Sequence, residues 1–377
     1  MFSFLFRKKY HYLNNVEINA SALYANHVIL KKLQPDWAIC PVLKSNAYGH
    51  GIKELAPLFD RFNEPFLVVD SLYEAYELYK RKVHTPILIL GYTFLQNYKV
   101  KRLPFHFSLF DLETARLLSK YQPGCSVHIF VDTGMHREGI EMRELLSFIN
   151  KIKSLNIHIV GLASHFSDAD NPVSQDNTNK QIACYKEALS LLRKAGIDPQ
   201  WRHISASGGA FKIKDATFNM MRAGIASYGV SPLNECDNDD KNVILHPVLA
   251  LKTQIAQIKM IPAGANVGYG GTYIAPTKKK IAILPMGYYE GVNRKLSNKG
   301  VVQVRGVDCP IIGNISMNIT TIDISHIPQV VVGDEVVVFS SDPSRKNSIR
   351  NTAKIIDMLP YELLVKLAES IHRKVIS

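Results

Sequence analysis

The sequence predicts an α/β protein, an N-terminal (β/α)8 TIM barrel followed by a C-terminal, mainly β domain. Three observations carry that expectation. Between residues 39 and 230, short apolar runs alternate with helix-period patterns in one uninterrupted series. The series stops at a polar, acidic and aperiodic stretch, 234–242, which reads as a linker. Beyond it, β segments punctuated by glycine take over.

The apolar runs fall at 40–43, 66–69, 87–90, 105–110, 127–131, 157–163 and 203–205, with 225–230 closing the series. Strands buried on both faces read as continuous apolar runs of this kind. Between them, Leu72, Ala75, Tyr76 and Tyr79 keep the spacing of one helix face, as do Leu145, Phe148, Ile149 and Ile152. Ile182, Tyr185, Leu189 and Leu192 mark a further helix, which Gly196 stops. About eight such units in series favour a closed barrel; an open doubly wound sheet is the alternative that pattern alone leaves standing. A barrel would put its chemistry at the C-terminal ends of the strands.

The expected domains are residues 1–240, of which the first ~12 could pack with the other domain, and residues 241–377. In the second, β segments are read at 248–258, 280–284, 301–304, 320–324 and 336–339, interrupted by one helix near 361–368.

Composition narrows the function classes. With 46% hydrophobic and 21% charged residues, the 377-residue chain can bury more than one core and is not disordered. The net charge of +12 is spread along the chain with only short clusters such as Lys278-Lys279-Lys280, which argues against nucleic-acid binding as its main role and suits small anionic ligands. Cys40, Cys125, Cys184, Cys236 and Cys309 are scattered and form no C-x-x-C pair, so neither a disulfide framework nor a metal site is expected. At the N-terminus a short apolar patch precedes Arg7-Lys8-Lys9, the reverse of a secretory signal, and no run reaches membrane-spanning length. A cytoplasmic protein without a membrane partner is expected.

The candidate chemistry begins at Lys44, in Val42-Leu43-Lys44-Ser45-Asn46-Ala47-Tyr48-Gly49-His50-Gly51. An amine at the end of a buried strand is placed to lose its proton and form a Schiff base. Later runs end in other polar residues. Arg137 follows Val131-Asp132-Thr133-Gly134-Met135, and His165 closes Gly161-Leu162-Ala163-Ser164. Ser205-Ala206-Ser207-Gly208-Gly209 and Met221-Arg222-Ala223-Gly224-Ile225 offer hydroxyls, small residues and main-chain amides that an anion can approach closely. Each has an ordinary structural explanation by itself: a surface ion pair, a satisfied core histidine, a turn. Their joint occurrence at successive strand ends is what points to a site for a phosphorylated cofactor.

Together these segments resemble the alanine racemase family, from about Val16 to Arg373. The lysine motif, the Asp-Thr-Gly-Met segment with Arg137, the Ser-His-Phe segment with His165, and Arg222-Ala223-Gly224-Ile225 followed by Tyr228-Gly229 carry the resemblance in the first domain. In the second it rests on Val267-Gly268-Tyr269-Gly270, Leu284-Pro285-Met286-Gly287-Tyr288, Ser316-Met317 and Leu359-Pro360-Tyr361-Glu362-Leu363. It implies a barrel with a C-terminal β domain, working as a homodimer with shared active sites, that interconverts L-alanine and D-alanine on pyridoxal 5'-phosphate and supplies D-alanine for peptidoglycan. A broad-specificity or serine racemase is the alternative.

The same resemblance implies roles for single residues. Lys44 binds the cofactor covalently and is one of two proton-transfer groups, and Tyr269, from the neighbouring subunit, is the other. His165 and Arg222 support the tyrosine, and Arg222 also faces the pyridine nitrogen. Tyr48, Ser207, Gly224, Ile225 and Tyr361 match phosphate contacts, Arg137 and Met317 match groups near the substrate carboxylate, and Tyr288 matches a tyrosine at the mouth of the site.

The chain departs from the family pattern at Phe130, where a carbamylated lysine often supports the arginine, so that an anion or another polar side chain would have to hold Arg137. Ser316, Asn318, Asn314 and Ala206 are further departures, and none removes a proton-transfer group. Among rivals, a decarboxylase on the same cofactor would be expected to place an acid at the ring nitrogen, which Arg222 argues against. A non-catalytic cofactor carrier would not need the second domain with Tyr269.

Overall fold

Eight parallel strands close into a barrel between Ala38 and Ala223 in the computed structural model, which describes residues 11–171, 173, 175–233, 237 and 242–377. The strands are Ala38–Pro41, Leu67–Val69, Ile87–Ile89, His106–Leu109, Cys125–Asp132, Ile157–Ala163, Trp201–His203 and Met220–Ala223. The last pairs in parallel with the first, Met220 opposite Ala38 and Ala223 opposite Pro41. Val42 bridges Val68, and Leu43 N–H donates to Val68 O at 2.7 Å. The bonds Asn219 N–H to Arg202 O (3.1 Å) and Arg222 N–H to Ser205 O (3.0 Å) close the remaining seam. A closed ring leaves no sheet edge unpaired, which is why strands of only three or four residues suffice.

The interior is packed. Cys40, Val42, Phe66, Val68, Leu88 and Met220 form one buried cluster, with Tyr48, Leu90 and Trp201 against it. Outside the ring, helices begin where side chains satisfy their first amides: Ser71 and Glu74 form a reciprocal capping box, and Asp111 accepts from Thr114 N–H at 2.7 Å. Helix Gln175–Lys194 ends near Gly196, whose φ of +81° is left-handed.

Two expectations need correcting here. The eighth strand is Met220–Ala223 and not the 225–230 run. Ile225–Tyr228 is a 3₁₀ turn closed by Gly229, and its residues are apolar because they are buried, not because they are extended. A Cβ on Gly229 would come within 1.8 Å of His246 O, so only glycine fits that close approach. Lys44 is also not the last residue of the first strand: that strand ends at Pro41, and Lys44 opens a separate turn.

The contacts divide the chain into two compact units, Ala20–Pro247 and a second one formed by the residues up to Asn19 with Val248–Ser377. The expected boundary at 240/241, most of the 234–242 linker, Cys236 and the basic N-terminal patch lie outside the described residues. In the second unit, six strands form a sheet in the order Val307–Pro310, Val301–Val304, Glu335–Phe339, Leu249–Gln254, Asn15–Asn19, His372–Ile376. Gln257–Ile261, Lys279–Leu284 and Thr320–Asp323 form a three-stranded sheet. The 248–258 run is therefore two strands in different sheets, parted at Ile255 and Ala256. The expected single helix is Pro360–Val365, and a second helix, Ile349–Ile355, is capped by Ser348. Asn15–Asn19 lies between strands more than 200 positions away in sequence, antiparallel to one and parallel to the other.

Candidate functional site

Lys44 begins a turn of unusual hand. Ser45, Asn46, Ala47 and Tyr48 have φ of 55°, 54°, 53° and 52°, so four successive non-glycine residues are left-handed. Such a conformation costs roughly 1–2 kcal/mol per residue, and the surroundings hold it in place. Glu74 Oε1 accepts from Ser45 N–H at 2.6 Å, and Asn46 Oδ1 accepts from Ile52 N–H at 2.8 Å. Ala47 is fully buried. The Lys44 amine, half-exposed, lies 3.6 Å from an Asp70 carboxylate oxygen.

On the neighbouring strand, paired with Cys40, Arg222 is buried in the barrel interior. Its Nη1 donates to His203 Nδ1 at 2.6 Å; its Nη2 donates to His165 Nδ1 at 2.8 Å, Ser164 O at 2.7 Å and Ile204 O at 3.1 Å. These bonds run through Nη1 and Nη2, and none runs through Nε. Burial pulls the guanidinium down to about 10, which still leaves it cationic at neutral pH. Because an arginine only donates, both imidazoles accept at Nδ1 and carry their proton on Nε2. His203 then donates to His128 Nδ1, 2.9 Å away. Burial, followed by the charges of Arg222, Arg137 and Lys44, drives His165 down to about 3. Burial also holds His203 and His128 well below the ordinary histidine range. The result is one cation flanked by neutral rings.

Tyr48, Ser207 and Gly224 converge near this cation. Burial and then the Asp70 charge push the Tyr48 phenol up to about 12, so it is a neutral donor. Ser207 Oγ accepts from Gly224 N–H (3.1 Å) and Ala226 N–H (3.3 Å), which fills both lone pairs and leaves its O–H only to donate. A Cβ at Gly224 would lie 2.5 Å from Tyr48 Oη, so the phenol can reach this backbone only because the residue is glycine. Two hydroxyl donors beside Gly224 and Ile225 form a cradle chemically suited to a phosphate monoester.

Arg137 stands on the loop after the fifth strand. Its Nε and Nη2 both donate to Glu138, the second bond at 2.6 Å. Phe130 below is buried and packs on Phe110.

The remaining candidates lie in the second unit. Tyr269 is 74% exposed on a short turn after Gly268, and its carbonyl accepts from Asn314 Nδ2 at 2.8 Å. Met317 and Tyr288 are also exposed and share one loop pairing, Tyr288 N–H to Ser316 O and Tyr289 N–H to Met317 O. Tyr361 is half-buried in the first turn of its helix. Asn318 donates to Glu290, which braces the Gly287 amide.

Residues 18–232 match the alanine racemase N-terminal domain and 248–375 the alanine racemase C-terminal domain. The chain belongs to the alanine racemase family. An alanine racemase of Halothermothrix orenii is 37% identical over 368 residues, covering 95% of each chain. The alanine racemase structure from Clostridium difficile 630 superposes with a TM-score of 0.90 at 31% identity, over 98% of this chain and 97% of that one. A Bartonella henselae alanine racemase with covalently bound pyridoxal phosphate superposes at 0.81, 26% identical, over 97% and 99%.

The barrel unit thus brings together Lys44, Tyr48, His165, Ser207, Arg222, Gly224 and Ile225, with Arg137 on its own loop. Sequence reading missed His203, His128, Glu138 and Asp70. A polar residue at an inward strand position, as in Val127-His128-Ile129, was the available signal for the histidines. Glu138 carried none, since an acidic neighbour of an arginine is common on surfaces. Among the described residues, no group of three or more His, Cys, Asp or Glu could hold a metal ion, and no helix is long and apolar enough to cross a membrane.

Proposed function

We propose that this chain racemises alanine with pyridoxal 5'-phosphate bound through Lys44. The observation that carries the reading is the convergence, in one barrel, of an amine on a braced left-handed turn, a two-hydroxyl anion cradle and a buried guanidinium with an unengaged Nε. The residues fit the cofactor: Tyr48, Ser207, Gly224 and Ile225, with Tyr361, would hold its phosphate, and Arg222 Nε would face its ring nitrogen. When bound, the cofactor supplies the electron sink that makes an amino acid's α-hydrogen acidic.

The protein's own groups then manage the proton. Lys44 serves one face of the α-carbon and Tyr269 of the partner subunit serves the other, in a homodimer with shared sites. A phenol with an ordinary pKa near 10 is a weak base at neutral pH, and His165, neutral and donating from Nε2, with cationic Arg222 behind it, would stabilise the phenolate. Arg222, which holds its proton, would hydrogen-bond the ring nitrogen without protonating it; the cofactor's electron withdrawal would then stay weak, which favours return of the proton to the α-carbon. Arg137 and the Met317 backbone amide would receive the substrate carboxylate, and Tyr288 would border the mouth. A cytoplasmic role in supplying D-alanine for peptidoglycan fits this activity.

The test is incubation of the chain with pyridoxal phosphate and L-alanine, L-serine or another L-amino acid, with resolution of the enantiomers. Appearance of D-alanine at the highest rate supports the reading; retention of the L-form for every substrate overturns it.

A further inference from the structure

The loop that carries Arg137 is tied at both ends and its guanidinium is already engaged. Asp132 Oδ1 accepts from the amides of Gly134, Met135 and His136 at 2.9, 3.1 and 3.1 Å. A Cβ on Gly139 would press to 2.6 Å from Asp132 N, so the loop's far end is tied to its start. Held between these two ties, Arg137 presents its Nε–Nη2 edge to both oxygens of Glu138, and the glutamate side chain is only 20% exposed. The Phe130 side chain is buried against Phe110 and has no polar atom to give. The bidentate bond, which fixes a guanidinium plane as a single contact does not, therefore comes from the adjacent residue.

We propose that Glu138 is a positioning residue for substrate binding. By gripping one edge of Arg137 it turns the Nη1–Nη2 edge outward as the anion-binding edge. A free arginine side chain would have to surrender its rotamer freedom when an amino acid's carboxylate arrives; here that ordering is done in advance. The same carboxylate also stands near enough to Arg222 to favour its charged form. The inference rests on the racemase reading, and it opposes a second possibility from the same geometry, in which Glu138 competes with the substrate for Arg137.

Propionate, which has a carboxylate but no amine, reads this edge without entering the reaction. Its dissociation constant is measured on the cofactor-loaded protein by calorimetry, together with KM and kcat for both alanine enantiomers, in the unaltered chain, Glu138→Leu and Glu138→Gln. The expected result for Glu138→Leu is about tenfold weaker propionate binding and a similar rise in KM for both enantiomers, the worth of one charge-assisted pair, with kcat changed much less. Glu138→Gln, equal in size and keeping one acceptor, should fall between. Propionate affinity that is unchanged or tighter in a folded Glu138→Gln protein overturns the proposal, and tighter binding identifies a competitor. If the unaltered chain fails to racemise, the function reading fails by itself, whereas racemisation with unaltered propionate affinity in the variants defeats only the role of Glu138.

Discussion

Arg222 and His165 are joined by a 2.8 Å hydrogen bond in which guanidinium Nη2 donates to imidazole Nδ1. The direction of that bond fixes the ring's proton on Nε2 and makes a second proton on Nδ1 incompatible with the contact. One donor-only side chain thereby sets the tautomer of His165 on one side and of His203 on the other.

Acid should destabilise this protein through its buried histidines. His165 is held at about 3 and His106 at about 4, and His128 and His203 lie well below 6.5, all chiefly by burial. Below pH 6.5 the unfolded chain binds protons that the folded chain refuses. The stabilisation is therefore complete above that pH and is lost as pH falls, by up to about 1.4 kcal/mol per pH unit for each such histidine. Denaturant unfolding of cofactor-saturated protein at pH 7.5, 5.5 and 5.0 should show the decline, with a shallower slope in His106→Leu. A flat profile over this range would contradict neutral buried rings.

Gly161 should tolerate no side chain, because a Cβ there would sit 2.0 Å from His128 Nδ1, the atom that accepts from His203. Gly161→Ala is expected to cost roughly 1–3 kcal/mol through overpacking and to lower activity by loosening Arg222. Equal denaturation midpoints for the variant and the unaltered chain would count against this packing.

Gly224→Ala should weaken cofactor binding by about tenfold, since its methyl group would displace the Tyr48 hydroxyl, a loss comparable to one hydrogen bond to a charged group. Spectral titration with pyridoxal phosphate measures it. In a Tyr48→Phe background the same substitution should cost less, because the two changes remove one shared interaction. Full additivity would mean that the phenol and the glycine backbone act separately.

Borohydride reduction of the protein loaded with pyridoxal phosphate should attach the cofactor to Lys44, as peptide mapping would reveal. Lys44→Ala should bind pyridoxal phosphate reversibly and not racemise. An adduct on any other lysine removes the assignment.

Tyr269→Ala should retain the cofactor yet slow racemisation by roughly 10²- to 10⁴-fold, the usual worth of a positioned proton-transfer group. If the tyrosine serves the L-enantiomer and Lys44 the D-enantiomer, deuterium wash-in from solvent should survive better from D-alanine. Mild losses, equal for both enantiomers, would exclude a two-base arrangement.

By itself, the sequence determined the fold class and the chemical types at the strand ends. Apolar runs such as 87–90 and helix faces such as Leu145 to Ile152 show which side chains are to be buried through a periodicity that is local and can be read along the sequence. Lys44, Arg222 and Gly224 were visible because a charge or a glycine interrupts an apolar run. The run at 225–230 misled because burial and extension leave the same trace in so short a segment, and only the ring showed that Met220–Ala223 was the strand. Tertiary structure alone decided the left-handed turn after Lys44, which depends on Glu74 some thirty positions away. It likewise decided the pairing of Asn15–Asn19 with distant strands, the tautomers around Arg222 and the grip of Glu138 on Arg137. Each is a hydrogen-bond geometry between groups whose residue types permit many partners, and the folded chain selects one.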